Sequence, residues 1–327
     1  NATLHNEDEI IRKDIRVSDT VLVQRAGDVI PQVVEVDLKK RLKDSKKFVF
    51  PVKCPSCGSK TEKEYNKITK KYDAVRRCTN DGYDCEKIAI EKIKHFISKD
   101  AMNIEGLGKK VVENFWELKF IKFPQDIYNL NFNKIAKLDG WGELSSKNLK
   151  ASIEKTKKVS LDRFIFSLGI RHIGQENAKI LAKYFKSIED FKKLTKSTTN
   201  IYSDLIQLDG IGDTQLTFLK KFFDNKTNKQ VFTSLITNLN IANFTFSEKG
   251  KFKNQTFMFT GGMSKMSRSE AKKIVENEGG KVLGSVSKKL NFLVSGDTKP
   301  TIKKVSQAKG LGIKVISESS WYKLINF

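Results

Sequence analysis

A chain of 327 residues with 39% hydrophobic content predicts two or three folded domains with real cores. Lys and Arg number 61 against 38 Asp and Glu, and this net charge of +23 is spread along the chain, which points to a polyanionic partner. No apolar stretch approaches the ~20 residues of a membrane span and no signal-peptide pattern opens the chain, so membrane insertion is excluded and a cytoplasmic location is expected.

The chain opens Asn1-Ala2-Thr3-Leu4-His5-Asn6 without an initiator Met and is expected to be a piece of a longer protein. Asn6 with Glu9 three positions on predicts the cap of a short helical turn. The β-branched runs at 21–25 and 33–36, punctuated by Gly27-Asp28 and Pro31, predict short strands. They suit a small β-barrel of the oligonucleotide-binding kind, and a hairpin meander equally well. Arg25 is a candidate DNA contact, the alternative being an ordinary turn residue.

All four cysteines fall between residues 54 and 85, a clustering that argues against secreted disulfide staples and for metal. Cys54-Pro55-Ser56-Cys57 is a knuckle whose two sulfurs reach one ion; Cys78 and Cys85 follow after 20 residues and are separated by six. Four thiolates satisfy tetrahedral Zn²⁺ with no open position, so the expected site is structural. Two disulfides or four free thiols are the alternatives. His5, His95 and His172 do not fit the cluster, and His95 reads as a surface or core residue.

Between Met102 and Thr214 one short pattern occurs four times: Glu105-Gly106-Leu107-Gly108, Asp139-Gly140-Trp141-Gly142, Arg171-His172-Ile173-Gly174 and Asp209-Gly210-Ile211-Gly212. Corresponding positions are 34, 32 and 38 residues apart. Helical periodicity flanks each copy, with helices expected at 86–99, 109–119, 132–138, 144–157, 161–168, 178–185 and 215–223. Glycine permits φ > 0 and close approach to the backbone, and the following helix presents unpaired N–H groups, a natural seat for phosphate. Taken singly, each is an ordinary tight turn; four in register predict tandem helix-hairpin-helix DNA binding. Lys109, Lys110 and Arg171 add charge. Lys137-Leu138-Asp139-Gly140 matches the Lys-x-Asp-Gly signature of covalent nucleotidyltransferases, but it runs into the second hairpin and is read as a decoy.

A polar linker at 247–251 precedes strands expected at 256–260, 281–283, 292–294 and 314–316, with helices at 269–278, 302–311 and 321–324. That order predicts a small α/β domain with a parallel sheet. Its phosphate-binding candidates are Thr260, Gly261 and Lys304, a packing glycine and a solvated lysine being the alternatives.

Across nearly its whole length the chain resembles the C-terminal part of the bacterial NAD⁺-dependent DNA ligase family. The residues that carry this are Asn1-Ala2-Thr3-Leu4-His5-Asn6, Arg25-Ala26-Gly27-Asp28-Val29-Ile30-Pro31, the Cys54–Cys57 knuckle, and Ser167-Leu168-Gly169-Ile170-Arg171-His172-Ile173-Gly174. The resemblance implies a multidomain, mainly α chain: a partial oligonucleotide-binding (OB) barrel at 1–50, a four-cysteine zinc finger at 51–86, a helix-hairpin-helix domain at 87–246 and a BRCT domain at 250–327. It further implies sealing of nicks between 3′-hydroxyl and 5′-phosphate ends during replication and repair. NAD⁺ and Mg²⁺ would serve the full-length enzyme, not this piece, which lacks the family's adenylation domain and is expected to be inactive. DNA contacts would come from Arg25, Gly106, Gly108, Lys109, Gly140, Gly142, Arg171, Gly174, Gly210 and Gly212, in a monomer bound to nicked duplex at the nucleoid. The gap inside the cysteine cluster is longer than the family usually shows, which leaves its loop open. A stand-alone DNA-structure-binding scaffold is the alternative; a nuclease subunit is disfavoured because no acidic metal cluster is evident.

Overall fold

Asn6 opens the first helix: its side-chain oxygen accepts the N–H groups of Asp8 and Glu9 at 3.1 and 3.3 Å, capping α1 (Glu7–Arg12). The computed structural model describes all residues except 1, 5, 27–29, 67–69, 81, 197–198, 246–249 and 299. His5, the Gly27-Asp28 turn and positions 247–249 of the expected linker therefore lie outside the described residues. Strands β1 (Val21–Ala26) and β2 (Ile30–Val36) pair antiparallel, with a bulge at Leu22/Val23. They form a two-stranded ribbon on which Leu22 and Val23 stay exposed. Beyond it Arg41 donates to the carboxylates of Asp14 at 2.6 Å and Asp19 at 2.8 Å, which folds the chain back onto the loop after α1.

The stretch between the cysteine pairs is sheet. β3 (Thr61–Asn66) and β4 (Lys71–Cys78) form an antiparallel ribbon in which Thr61 faces Cys78, Lys63 faces Arg76 and Tyr65 faces Tyr72. Helices then dominate: α2 (Glu86–Ile97), α3 (Lys109–Glu117), α4 (Phe132–Ile135) and α5 (Glu143–Thr156) carry the first two glycine patterns. A short strand β5 (Lys158–Ser160), α6 (Leu161–Ser167), α7 (Gln175–Phe185), α8 (Ile188–Lys192), α9 (Thr199–Leu205) and α10 (Asp213–Asp224) carry the other two. Helix α11 (Lys226–Asn238) was not legible in the pattern, because its first turn is polar; Asn225 starts it by accepting the Asn228 N–H at 2.8 Å. β6 (Asn240–Ala242) then pairs in parallel with β5.

The helical core is aromatic. Phe164, Phe191, Phe223 and Phe232 lie with ring centroids 5.3 to 6.0 Å apart, each almost fully buried. His95 belongs to this packing: its Nε2 bonds the Phe166 carbonyl at 2.8 Å and its ring edges the Phe166 ring. Backbone contacts divide the chain into two compact units, Asn1–Leu181 with Ile188–Ala242, and Ala182–Ser187 with Asn243–Phe327.

In the second unit β7 (Thr256–Thr260), α12 (Arg268–Asn277), β8 (Lys281–Val282), β9 (Phe292–Ser295), α13 (Ile302–Gly310), β10 (Lys314–Ser317) and α14 (Glu318–Ile325) follow the expected strand and helix order. All sheet pairings are parallel, in the order β10-β9-β7-β8. The central strand reads Thr-Phe-Met-Phe-Thr because both its faces are covered: Phe257 and Phe259 pack with Trp321, Met258 with Leu293 and Ala308.

Candidate nucleic-acid interface and metal centre

Two local devices and one helix end assemble the cysteines. The knuckle is tight: the Cys54 N–H donates to the Ser59 carbonyl at 2.7 Å and the Gly58 N–H to the Cys54 carbonyl at 2.8 Å. Gly58 takes the left-handed conformation this turn needs, φ +73°. The ribbon register returns Cys78 to that end, and Cys85, buried, is the N-cap residue of α2. The four Sγ atoms lie within 4.8 Å of one another, with Cys57 and Cys78 at 3.5 Å. Four Zn–S bonds of ~2.3 Å give a tetrahedron with edges of about 3.8 Å, whereas a disulfide needs ~2.05 Å. All four are free thiols, so the donor set fits one closed cation site. Hydrogen bonds from Ser59 hold Cys57 down to about 6, while burial pushes Cys78 up to about 12. The Cys57 thiolate forms readily, whereas Cys78 resists ionisation until a dication shares it.

Each glycine pattern is a helix-to-helix hairpin with the same backbone plan. Its second position has positive φ: +83° at Gly106, +73° at Gly140, +61° at His172 and +93° at Gly210. The third copy shows that the turn tolerates a side chain, histidine being among the residues that visit this region. The middle residue points inward, with Leu107, Ile173 and Ile211 buried and Trp141 half-buried. The second glycine then begins the next helix, Gly108, Gly142 and Gly212 serving as N-cap residues of α3, α5 and α10. A Cβ placed at Gly108, Gly142 or Gly174 would meet nothing within 4 Å, so a ligand can approach the backbone closely at these helix starts.

The hairpins are arranged as two reciprocal pairs. A Cβ at Gly106 would lie 3.7 Å from Leu149 on α5, while the Trp141 ring of the second hairpin lies tilted 5.6 Å from that of Phe115 on α3. In the second pair His172 lies 4.7 Å from Phe218 on α10, and the Gly210 carbonyl accepts Asn177 of α7 at 2.7 Å. Each hairpin thus leans on the helix that follows its mate, which fixes the spacing between paired helix starts. Arg163 joins the two pairs by donating to the carbonyls of Lys99 and Ala101.

Charge is unequal among the four. Lys109 and Lys110 are exposed on the first turn of α3, whereas Asp139 and Glu143 flank the second hairpin and Asp209 and Asp213 the fourth, all exposed. Ser145 and Gln215 accept the N–H groups of Gly142 and Gly212 at 3.0 and 3.1 Å, an internal partner for those amides. Arg171 is held rather than free: it donates to both carboxylate oxygens of Glu64 on β3 at 2.8 and 2.7 Å, and its guanidinium lies 4.7 Å from the Phe218 ring. Neither Glu64 nor Phe218 carried a local signal in the sequence. Arg25 is exposed on β1 opposite Pro31.

In the second unit Thr260 is buried and its hydroxyl accepts the Thr301 N–H at 3.2 Å. Gly261 has φ +81°, and a Cβ there would press on the Gly296 and Thr298 carbonyls at 3.0 Å, so packing alone requires glycine. Lys304 is half-buried on the first turn of α13. Lys137 is exposed at the end of α4, and the Leu138 carbonyl beside it accepts the Trp141 N–H at 3.0 Å, a turn that leads into the second hairpin. Among the described residues no helix is long and apolar enough to cross a membrane.

Family models match three stretches: the NAD-dependent DNA ligase OB-fold domain at residues 1–45, the helix-hairpin-helix motif at 163–232, and the BRCA1 C Terminus (BRCT) domain at 247–325. A DNA ligase of Pelagibacter ubique is 59% identical over 327 residues, all of this chain and 48% of that protein. A DNA ligase of Rickettsia bellii is 44% identical over 335 aligned positions, and one of Xanthobacter autotrophicus 40% over 342, each taking in 99% of this chain and 47% of the relative. The chain spans about half the length of the curated relatives it matches. With these domains in this order and these relatives along its whole length, the chain fits the C-terminal part of the NAD-dependent DNA ligase family.

Proposed function

We propose that this chain is the DNA-gripping part of an NAD-dependent DNA ligase and holds a nicked duplex by its sugar-phosphate backbone. The observation that carries the reading is the reciprocal pairing of hairpins, which sets open helix starts at fixed spacing, as a phosphate rail requires. Backbone amides at Gly106, Gly108, Gly140, Gly174 and Gly210 take phosphate oxygens, and those at Gly142 and Gly212 do so in exchange for Ser145 and Gln215. The first hairpin, with Lys109 and Lys110, binds most strongly, and the acid-flanked second and fourth bind least. Arg25 adds a contact from the OB ribbon. The four cysteines hold one Zn²⁺, which supplies folding energy and no chemistry.

The reaction belongs to the whole protein: with Mg²⁺, a lysine outside these residues would take AMP from NAD⁺ as nicotinamide mononucleotide leaves, pass it to the 5′-phosphate, and the 3′-hydroxyl would then displace AMP to close the backbone. We divide this chain into an OB part at 1–50, a zinc finger at 51–86, a hairpin domain at 87–246 and a BRCT domain at 250–327. It acts as a monomer on cytoplasmic, nucleoid DNA. Thr260, Gly261 and Lys304 remain the BRCT domain's candidate phosphate site, its partner unassigned.

Binding is insensitive to sequence and sensitive to salt. With roughly six phosphates neutralised, log K falls against log salt with a slope of about −5 in a filter-binding titration. A slope near zero, or strong preference among unrelated duplexes, contradicts the reading. Incubated with labelled NAD⁺, the chain acquires no label; a labelled band would make Lys137 a nucleophile.

A further inference from the structure

The ribbon built on the cysteine cluster has charges of two kinds. At its base they pair within the protein: Lys63 with Asp8 at 2.7 Å, Arg76 with Glu7 at 3.0 Å, Lys60 with Glu62 at 2.7 Å, and Glu64 with Arg171 of the third hairpin. At its far end Lys70 and Lys71 are exposed, and among the described residues neither has an ion pair. Between base and tip sit Tyr65 and Tyr72, facing each other across the strands with ring centroids 5.1 Å apart, edge to face. A cross-strand aromatic pair stabilises a ribbon, but this one is left 51% and 66% exposed, so much of its ring surface has no protein partner. Tyr65 follows Glu64 directly, one strand residue (~3.3 Å along the backbone) beyond the residue whose carboxylate grips the third hairpin.

We propose that the Tyr65–Tyr72 pair, with Lys70 and Lys71, is a second DNA contact, taking the strand that runs on from the phosphates held at the third hairpin. The lysine charges match phosphate, and open aromatic faces beside unpaired cations are the surface that sequence-indifferent binders offer to bases and sugars. The inference rests on the DNA-gripping reading of the hairpins. The pairs on both sides of the ribbon base hold the tip in a fixed relation to that grip.

The test is fluorescence anisotropy of a labelled nicked duplex with the full 327-residue chain, alongside a thermal melt of each variant. The Y65S/Y72S pair weakens binding about tenfold with the salt slope unchanged, as loss of one ring contact does. The Y65F/Y72F pair keeps the rings and binds like the parent. The K70Q/K71Q pair weakens binding and makes the salt slope shallower by roughly 1 to 2, at about 0.9 per lost phosphate contact. Unchanged affinity of a folded Y65S/Y72S chain overturns the proposal while leaving the hairpin grip intact. Failure of the parent chain to bind DNA overturns both.

Discussion

Arg171 and Glu64, 107 residues apart in the chain, close a two-pronged ion pair that ties the third hairpin to the cysteine ribbon. An arginine beside a glycine hairpin would ordinarily be assigned to phosphate, yet both prongs of this guanidinium are engaged and Phe218 lies against it. About a third of each side chain is exposed, so the pair stabilises modestly. A double-mutant cycle with Glu64→Gln and Arg171→Gln, read by thermal or urea unfolding, is expected to return a coupling of about 0.5–1 kcal/mol. Zero coupling would mean that the two groups part in solution and Arg171 is available to DNA.

The glycines of the hairpins divide into two kinds, and substitution separates them. Gly210 sits at φ +93° with Ile180 2.7 Å from where a Cβ would be; Gly210→Ala is expected to destabilise by roughly 2 kcal/mol, through left-handed strain and the clash. Gly108 has φ −75° and open space around it, so Gly108→Ala costs about 1 kcal/mol or less as a poorer N-cap. Its methyl nevertheless stands before the helix-start amides. The expected result is a several-fold loss of DNA affinity at nearly unchanged melting temperature, measured by gel shift and calorimetry.

The cysteine cluster predicts one zinc per chain by elemental analysis. Chelation is expected to remove a folding contribution on the order of 10 kcal/mol from this segment, the scale of structural zinc sites in small fingers. Protease cutting should then appear between Cys54 and Cys85 while the helical signal from the hairpin helices is largely kept. Cys85→Ser should reproduce the effect without chelator, because its thiol is the buried corner of the set. Unaltered protease resistance after complete metal loss would count against a structural ion.

Glu318 is the carboxylate to watch in acid. Burial opposes its charge, but Ser264 donates from both N–H and hydroxyl at 2.5 and 2.6 Å, Tyr322 from its hydroxyl at 2.5 Å and Asp297 from its N–H at 3.0 Å. These donors outweigh burial and hold the group down to about 2, against the usual 4.5. A depressed folded-state value stabilises fully above the unfolded value, so this contribution is present above pH ~4.5 and is lost as pH falls toward 2. Glu318→Gln is expected to cost roughly 2 kcal/mol at neutral pH and to flatten the acid limb of the melting curve. A parallel acid limb in parent and variant would remove Glu318 from that role.

Local rules carried much of this protein. Residue types at short spacing determined the four hairpins, the helix starts after them, the strand and helix order of 256–325, and which four sulfurs would meet. Backbone conformation and helix capping depend on neighbours within a few residues, so that information lies in the sequence itself. Tertiary structure decided what those pieces touch. It made a ribbon of the residues between the cysteine pairs, set the hairpins in reciprocal pairs through Trp141 on Phe115 and His172 on Phe218, and gave Arg171 to Glu64 and Glu318 to Ser264. Apart from the ribbon, each of these contacts joins positions far apart along the chain, where either side chain would read as ordinary surface or core. Only the approach of whole elements, driven by burial of the aromatic core, brings such partners within bonding distance, and no local pattern records it.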